Sequence, residues 1–331
     1  MKQIALIVIL AAIAAVVPLF MGENPYFTGI LISVLMMAAL SSAWNLLGGY
    51  AGQYSFGHAA YFGAGAYTTM ILITLYNLNP LLCMAAGMVV ASIIALITGS
   101  IVFRLRGHYF ALASIAVAEI VRLSVLNFEF TGGAQGILLS DLSLWGLDLN
   151  SKNPFYYGML LVLVVSLGIT AYLRKSKTGF YLQAIREDQD AAASLGINLS
   201  FYKNKALLIS AALTSVLGSL YGLYIRFIDT SAVLDLRLSI EIILTAIIGG
   251  VGTLWGPVIG AVLLVPLAEM LRSNFIGDAL VKAGLVSETS GMGLFLKENL
   301  AHAHVLVYGI ITVLCILYLP KGILGLFRRV K

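Results

Sequence analysis

The segment from Arg174 to Lys205, RKSKTGFYLQAIREDQDAAASLGINLSFYKNK, is a dense run of charge in an otherwise apolar chain. Its spacing predicts a helix over 180–195, with Ala184, Ala191, Ala192 and Leu195 on a small apolar face. Arg186, Glu187, Asp188 and Asp190 fall elsewhere on that helix, and Gly196 stands where a helix-ending glycine belongs. A short helix with a small-residue face and a charged rim suits docking in another protein's groove. A solvated connector with some amphipathicity is the bland alternative.

Two glycine-rich stretches come next. Gly48, Gly49, Gly52, Gly57, Gly63 and Gly65 surround three polar residues, Gln53, Ser55 and His58, and a second broken stretch covers 249–260. Glycine lets helices approach closely and also interrupts them, which exposes backbone groups at membrane depth. Paired interruptions in the two halves of a chain point to a translocation pathway, with Gln53, Ser55 and His58 as candidates along it. Close helix packing around an inner turn is the competing reading. A lone histidine at the end of an apolar run is more often a hydrogen-bonded packing residue than a relay, and the four histidines at 58, 108, 302 and 304 have no metal-site spacing. Glu119 and Arg122 lie three apart on one apolar run, a spacing that permits an ion pair. Lining an aqueous route is the second role open to Glu119. The chain contains no G-x-x-x-x-G-K-[ST] phosphate loop, so it cannot hydrolyse ATP by that route.

These residues need elements to hold them, and the composition says which. Of 331 residues 60% are hydrophobic and 11% charged, with a mean hydropathy of +0.97. That excludes a soluble enzyme, a disordered chain and a disulfide-stapled module, and leaves an all-α polytopic membrane protein. Cys83 and Cys315 sit inside apolar runs as small core residues. Apolar runs near 4–21, 27–47, 59–76, 81–103, 109–126, 155–173, 206–225, 238–248, 258–271 and 305–319 predict about ten spans. The first run is long for a signal peptide and is taken as an uncleaved helix.

With both termini cytoplasmic, thirteen of the 20 Lys/Arg fall on the inner side, in the N-terminal tip, at Arg104 and Arg106, in 174–205 and in the C-terminal tail. The net charge of +5 therefore marks loop sidedness rather than nucleic-acid binding. Residues 1–331 form a single transmembrane domain, with an inner loop at 174–205 between spans six and seven and an outer connection at 272–304.

Asp190-Ala191-Ala192, followed by three residues and Gly196, resembles the acidic-Ala-Ala-x-x-x-Gly coupling motif of bacterial ABC importer permeases. Asp190 stands where Glu is commoner, which keeps the charge and shortens its reach. The surrounding TGFYLQAIREDQDAAASLGI is similar to the version in the LivM-type branched-chain amino acid permease family. NLLGGYAGQYSFGHAAYFGAGAYT (45–68), RLRGHYFALASIAVAEIVR (104–122) with TGGAQGI (131–137), and AIIGGVGTLWGPVIGAVLL (246–264) resemble further blocks of that family, in order. The resemblance implies a permease subunit of an importer in the bacterial inner membrane, carrying branched-chain or related small amino acids. It implies two ABC ATPase partners, which bind the ATP and need no cofactor here. A second permease, of the LivH type or a second copy, and a periplasmic binding protein complete the implied set. Ala184, Arg186, Glu187, Asp190, Ala191, Ala192 and Gly196 would then be ATPase-coupling residues, on a coupling helix that transmits motion to the spans. Related permeases carry urea or short amides, and ten broken helices would also serve an ion-coupled secondary transporter. The latter predicts a buried acidic cluster, and only Glu119 is central.

Overall fold

The computed structural model describes residues 2–20, 25–139, 151–272, 309–310, 313–314, 317–318 and 322–328. Apart from two short strands, the regular elements among them are helical. In order these are α1 (Lys2–Phe20), α2 (Pro25–Ala51), α3 (His58–Tyr76), α4 (Pro80–Val102), α5 (His108–Asn127), β1 (Ile137–Leu138), α6 (Asn153–Leu173), α7 (Lys177–Glu187), α8 (Gln189–Ser194), α9 (Leu199–Ile225), β2 (Phe227–Ile228), α10 (Thr230–Val233), α11 (Leu236–Gly249), α12 (Gly256–Arg272) and α13 (Ile323–Arg328). Helix is the structure such apolar runs must take in lipid, because it satisfies the backbone without outside partners.

Among the described residues six helices (α2 to α6, and α9) are long and apolar enough to cross a membrane, and α1 and α12 contain shorter apolar stretches, Ala5–Pro18 and Gly256–Met270. The predicted outer connection beyond 272 and most of the run at 305–319 lie outside the described residues.

Glycines, serines and threonines let α3, α4 and α9 meet. Gly218 lies directly against the Phe62 carbonyl and Gly65 against that of Ser215, so a side chain at either place would collide with backbone. Thr69 Oγ1 donates to Ser219 Oγ at 2.8 Å, and Ser219 Oγ donates to the Gly65 carbonyl at 3.0 Å. Small residues with hydroxyl cross-links suit helices that gain nothing from exchanging lipid for each other's apolar surface. Larger side chains, among them Trp44, Phe62, Met70, Tyr156 and Met159, fill the wider spaces around α2 and α6. Against this body α1 is held by α6, where Tyr156 donates its hydroxyl to the Ala14 carbonyl at 2.7 Å.

The eighth apolar run folds differently from a simple span. Its helix, α11, has 14 residues, about 21 Å of rise against the roughly 30 Å hydrocarbon core. The missing length is supplied by residues 226–235. There β2 pairs antiparallel with β1 (Ile137 opposite Ile228), and α10 with the following Leu234 tucks in beside Gly63 of α3. Ile228, Val233 and Leu234 are buried. Asp229 and Asp235 cap the two helix starts, accepting from Ala232 N and Arg237 N at 2.8 Å each.

Candidate functional site

The predicted helix over 180–195 is two helices. Asp188 adopts extended backbone between them (φ −154°, ψ 117°), and its Oδ1 accepts from the amides of Asp190 and Ala191 at 2.8 and 3.0 Å. A short acidic side chain that can cap a new helix competes with continuation of the old one, so the chain breaks at this residue. Ser176 caps α7 in the same way, accepting from Gly179 N at 3.2 Å. Gly196 ends α8 in left-handed backbone (φ +81°), with Gly196 N donating to the Ala193 carbonyl at 2.9 Å and Ile197 N to that of Ala192 at 3.1 Å. That is a double-bonded C-terminal cap, at the glycine where the sequence predicts that the helix ends.

The break divides the predicted small-residue face. Ala192, with Leu182 and Ile185 of α7, turns into the protein and is buried. Ala184 is half-buried, while Ala191, Glu187 and Asp190 are exposed, and Leu195 keeps 81% of its surface open.

Polar contacts tie the pair to the bundle, among them a long one from Lys205 Nζ of α9 to Thr178 Oγ1 at 3.4 Å. Arg106, in the turn before α5, donates through Nη1 to Asp190 at 2.7 Å. Lys203 of α9, buried with its ammonium over the Phe103 ring, donates to Gln189 Oε1 at 2.8 Å. Arg186 of α7 points the other way and donates through Nη1 to the Gly49 carbonyl at 2.8 Å.

Gly49 belongs to the first glycine-rich stretch, which forms the turn from α2 into α3. Trp44 Nε1 donates to the Ser55 carbonyl at 2.8 Å, Ser55 Oγ accepts from Gly57 N at 3.2 Å, and Ser114 Oγ of α5 accepts from Phe56 N at 2.9 Å. Ser210 of α9 donates to the Ala43 carbonyl at 2.6 Å, which leaves its oxygen to accept from His58 Nε2 at 2.7 Å. Gln53, Ser55 and His58 are all buried, so the turn is wired by side chains from three helices.

The second glycine-rich stretch, the turn from α11 to α12, lies against the first. The Asn45 amide joins them, with Nδ2 donating to the Thr253 carbonyl and Oδ1 accepting from Gly252 N, each at 2.8 Å. The two stretches singled out in the sequence are therefore one structure. Asn45 was not among the predicted site residues. The available signal was an amide placed between Trp44 and Leu46 in an apolar run, where an unpaired polar group is costly. Arg106 and Lys203 carried no comparable signal, because basic residues are expected at inner helix ends.

Glu119 is not part of this cluster. It lies on α5 five residues beyond Ser114, about 7 Å along the axis, and accepts from Arg122 Nε at 2.9 Å, the ion pair its spacing permits. Both side chains keep part of their surface open. Asp235 lies within electrostatic reach of Arg122, and Arg237 pairs with Glu241 at 3.2 Å along α11. The open faces of α1 and α4 are different, since Val8, Ile9 and Ile13 on one and Leu81, Val89 and Ile97 on the other are exposed and apolar. Among the described residues no three His, Cys, Asp or Glu converge as metal ligands.

At the other end of the bundle a cavity of about 330 Å³ opens between α2, α6, α9 and α12, with Lys152 and Glu269 in its wall.

Six membrane-length helices knit by small residues, with a capped helix pair projecting from one end, define a multi-pass membrane protein of the transport-permease class. The profile of the branched-chain amino acid transport system permease component family matches residues 26–316, and the chain belongs to that family. It is 27% identical over 310 residues to the high-affinity branched-chain amino acid transport system permease proteins LivM of Salmonella typhimurium and Escherichia coli, covering 86% of this chain and 72% of theirs. It is 24% identical to the permease protein BraD of Pseudomonas aeruginosa, over 87% of this chain and 91% of the relative. Similarity extends to LivH of Salmonella typhimurium at 24% identity, covering 72% and 82% respectively. No solved structure matches the chain.

Proposed function

We propose that the chain is one permease subunit of an ABC importer in the bacterial inner membrane, moving branched-chain or related small amino acids inward. The observation that carries this reading is the α7–α8 pair. It is anchored by buried Leu182, Ile185 and Ala192, yet presents Glu187, Asp190, Ala191 and Leu195 outward, a shape made for a partner's groove. The partner in that groove is an ABC ATPase, two of which bind and hydrolyse the ATP. A second permease of the LivH type completes the membrane part, and a periplasmic binding protein supplies the cargo.

The topology that accompanies this reading has ten spans in one membrane domain and both termini inside. Residues 174–205 then form the inner coupling loop and 272–304 the outer connection. Glu119 belongs to the pathway. The open faces of α1 and α4 are apolar and suit lipid, whereas α5 carries half-buried Glu119 and Arg122 beside exposed Leu112 and Ile120, and Asp235, Arg237 and Glu241 gather at the start of α11. Charges at membrane depth are costly unless they face water or protein. Gln53, Ser55 and His58, each buried and hydrogen-bonded, support the pathway by holding the turn rather than by touching cargo.

The test is uptake of radiolabelled leucine by a strain lacking this gene and by the same strain with the gene restored. Restoration should return uptake, and isoleucine and valine should compete while urea does not. Competition by urea alone would move the chain to the amide carriers, and uptake dissipated by an ionophore but indifferent to ATP depletion would replace the ATPase reading with ion coupling.

A further inference from the structure

The Arg186 side chain threads between the two glycine-rich turns. Its Nη1 donates to the Gly49 carbonyl at 2.8 Å. A side chain on Gly252 would begin 2.5 Å from the same nitrogen, and one on Gly52 would begin 3.1 Å from Arg186 Cγ. Both glycines have left-handed backbone, φ +67° at Gly52 and φ +73° at Gly252. The slot therefore exists because neither turn carries a β-carbon there. The turns are also one body, since the Asn45 amide bonds Gly252 N and the Thr253 carbonyl. A guanidinium is a planar, permanently charged fork whose hydrogen bonds are stronger than neutral ones, so it resists sliding in such a slot more than an aliphatic contact would. Leu182 packs in one buried cluster with Leu47 and Tyr50 of α2 and with Val102, Phe110 and Leu207 of α4, α5 and α9, which holds the base of α7 against the bundle.

We propose that Arg186 does not grip the ATPase but is the positioning residue that carries displacement of the α7–α8 pair into the joined turns α2–α3 and α11–α12. The inference rests on the reading that an ATPase docks on that pair. Through this one side chain, a shift of α7 moves the inner ends of α2, α3, α11 and α12 together. The Arg106 and Lys203 contacts connect the same pair to the α4–α5 turn and α9 instead. The α7–α8 pair thus meets the bundle at several places, and Arg186 is the side chain that reaches the joined glycine turns.

The experiment uses the full transporter in proteoliposomes, with Arg186→Ala and Arg186→Lys measured for ATP hydrolysis and leucine uptake, and a cysteine at Ala191 for cross-linking to the ATPase. In Arg186→Ala the ratio of uptake to hydrolysis should fall by about tenfold or more, the scale of a typical coupling free energy, while the cross-link forms as in the wild type. Arg186→Lys, which keeps the charge and N–H donors but loses the planar fork, should recover part of the ratio. An unchanged ratio in Arg186→Ala with the cross-link intact overturns the inference and leaves docking standing. Absence of the cross-link in the otherwise unaltered transporter overturns docking itself. If Arg186→Ala does not assemble, the ratio in Arg186→Lys decides, and failure of both to assemble makes Arg186 a folding residue and also overturns the inference.

Discussion

The α7–α8 pair is fastened at two ends, and the fastenings are unlike. At the α7 end Arg186, itself exposed along part of its side chain, reaches between glycines to bond a carbonyl, with Leu182 and Ile185 buried nearby. At the α8 end the Arg106–Asp190 ion pair lies open, with side chains 57% and 76% exposed. Exposed ion pairs contribute about 0–1 kcal/mol, and a hydrogen bond from a charged donor approaches about 1.5–3 kcal/mol only as it is shielded from water, which the Arg186–Gly49 bond is in part. Buried Ala192 and the Lys203–Gln189 bond also hold α8, so the difference lies in how open each polar fastening is, with the helix break at Asp188 between them.

The severest way to break this comparison is at the slot. Gly252→Val places a branched side chain where Arg186 Nη1 stands, on backbone that disfavours it, and strain of about 1–2 kcal/mol comes from the backbone alone. Uptake should fall by about tenfold or more with the permease still inserted, as measured by leucine transport against membrane protein level. Normal transport would remove the slot from the mechanism. A middle effect belongs to the helix break. Asp188→Ala removes a cap bonded to two amides and should cost about 1 kcal/mol, seen as a lower unfolding temperature and a severalfold lower uptake with hydrolysis retained. Unchanged coupling would show that the break is incidental. The smallest effect should come from Arg106→Ala, with a stability loss below about 1 kcal/mol and uptake within about twofold of the wild type. A loss as large as that of Gly252→Val would reverse the ranking and make the open end the rigid one.

How much of this was legible beforehand depends on the range of the interaction. Gly196 ending a helix and the Glu119–Arg122 pair are local matters, set by a glycine's backbone and a three-residue spacing, and both are found. The break at Asp188 is local too but was not predicted, because periodicity carries on through 180–195 and only the cap geometry stops it. The short α11 was signalled by the short apolar run at 238–248, but not that 226–235 folds back against Gly63. The union of the glycine turns was out of reach, since each stretch alone gave the choice between pathway and packing. Arg186 fell on the charged side of a predicted amphipathic helix, and only tertiary contacts turn it toward Gly49.

The Asn45 bridge has a consequence for how the protein is made. Asn45 emerges with the second helix, while its partners Gly252 and Thr253 follow 207 and 208 residues later. Until synthesis has passed Thr253, that amide has neither of these bonds. A translation product truncated before Gly252 would leave both ends of the Asn45 amide without their native partners, and an unpaired amide in an apolar setting is costly.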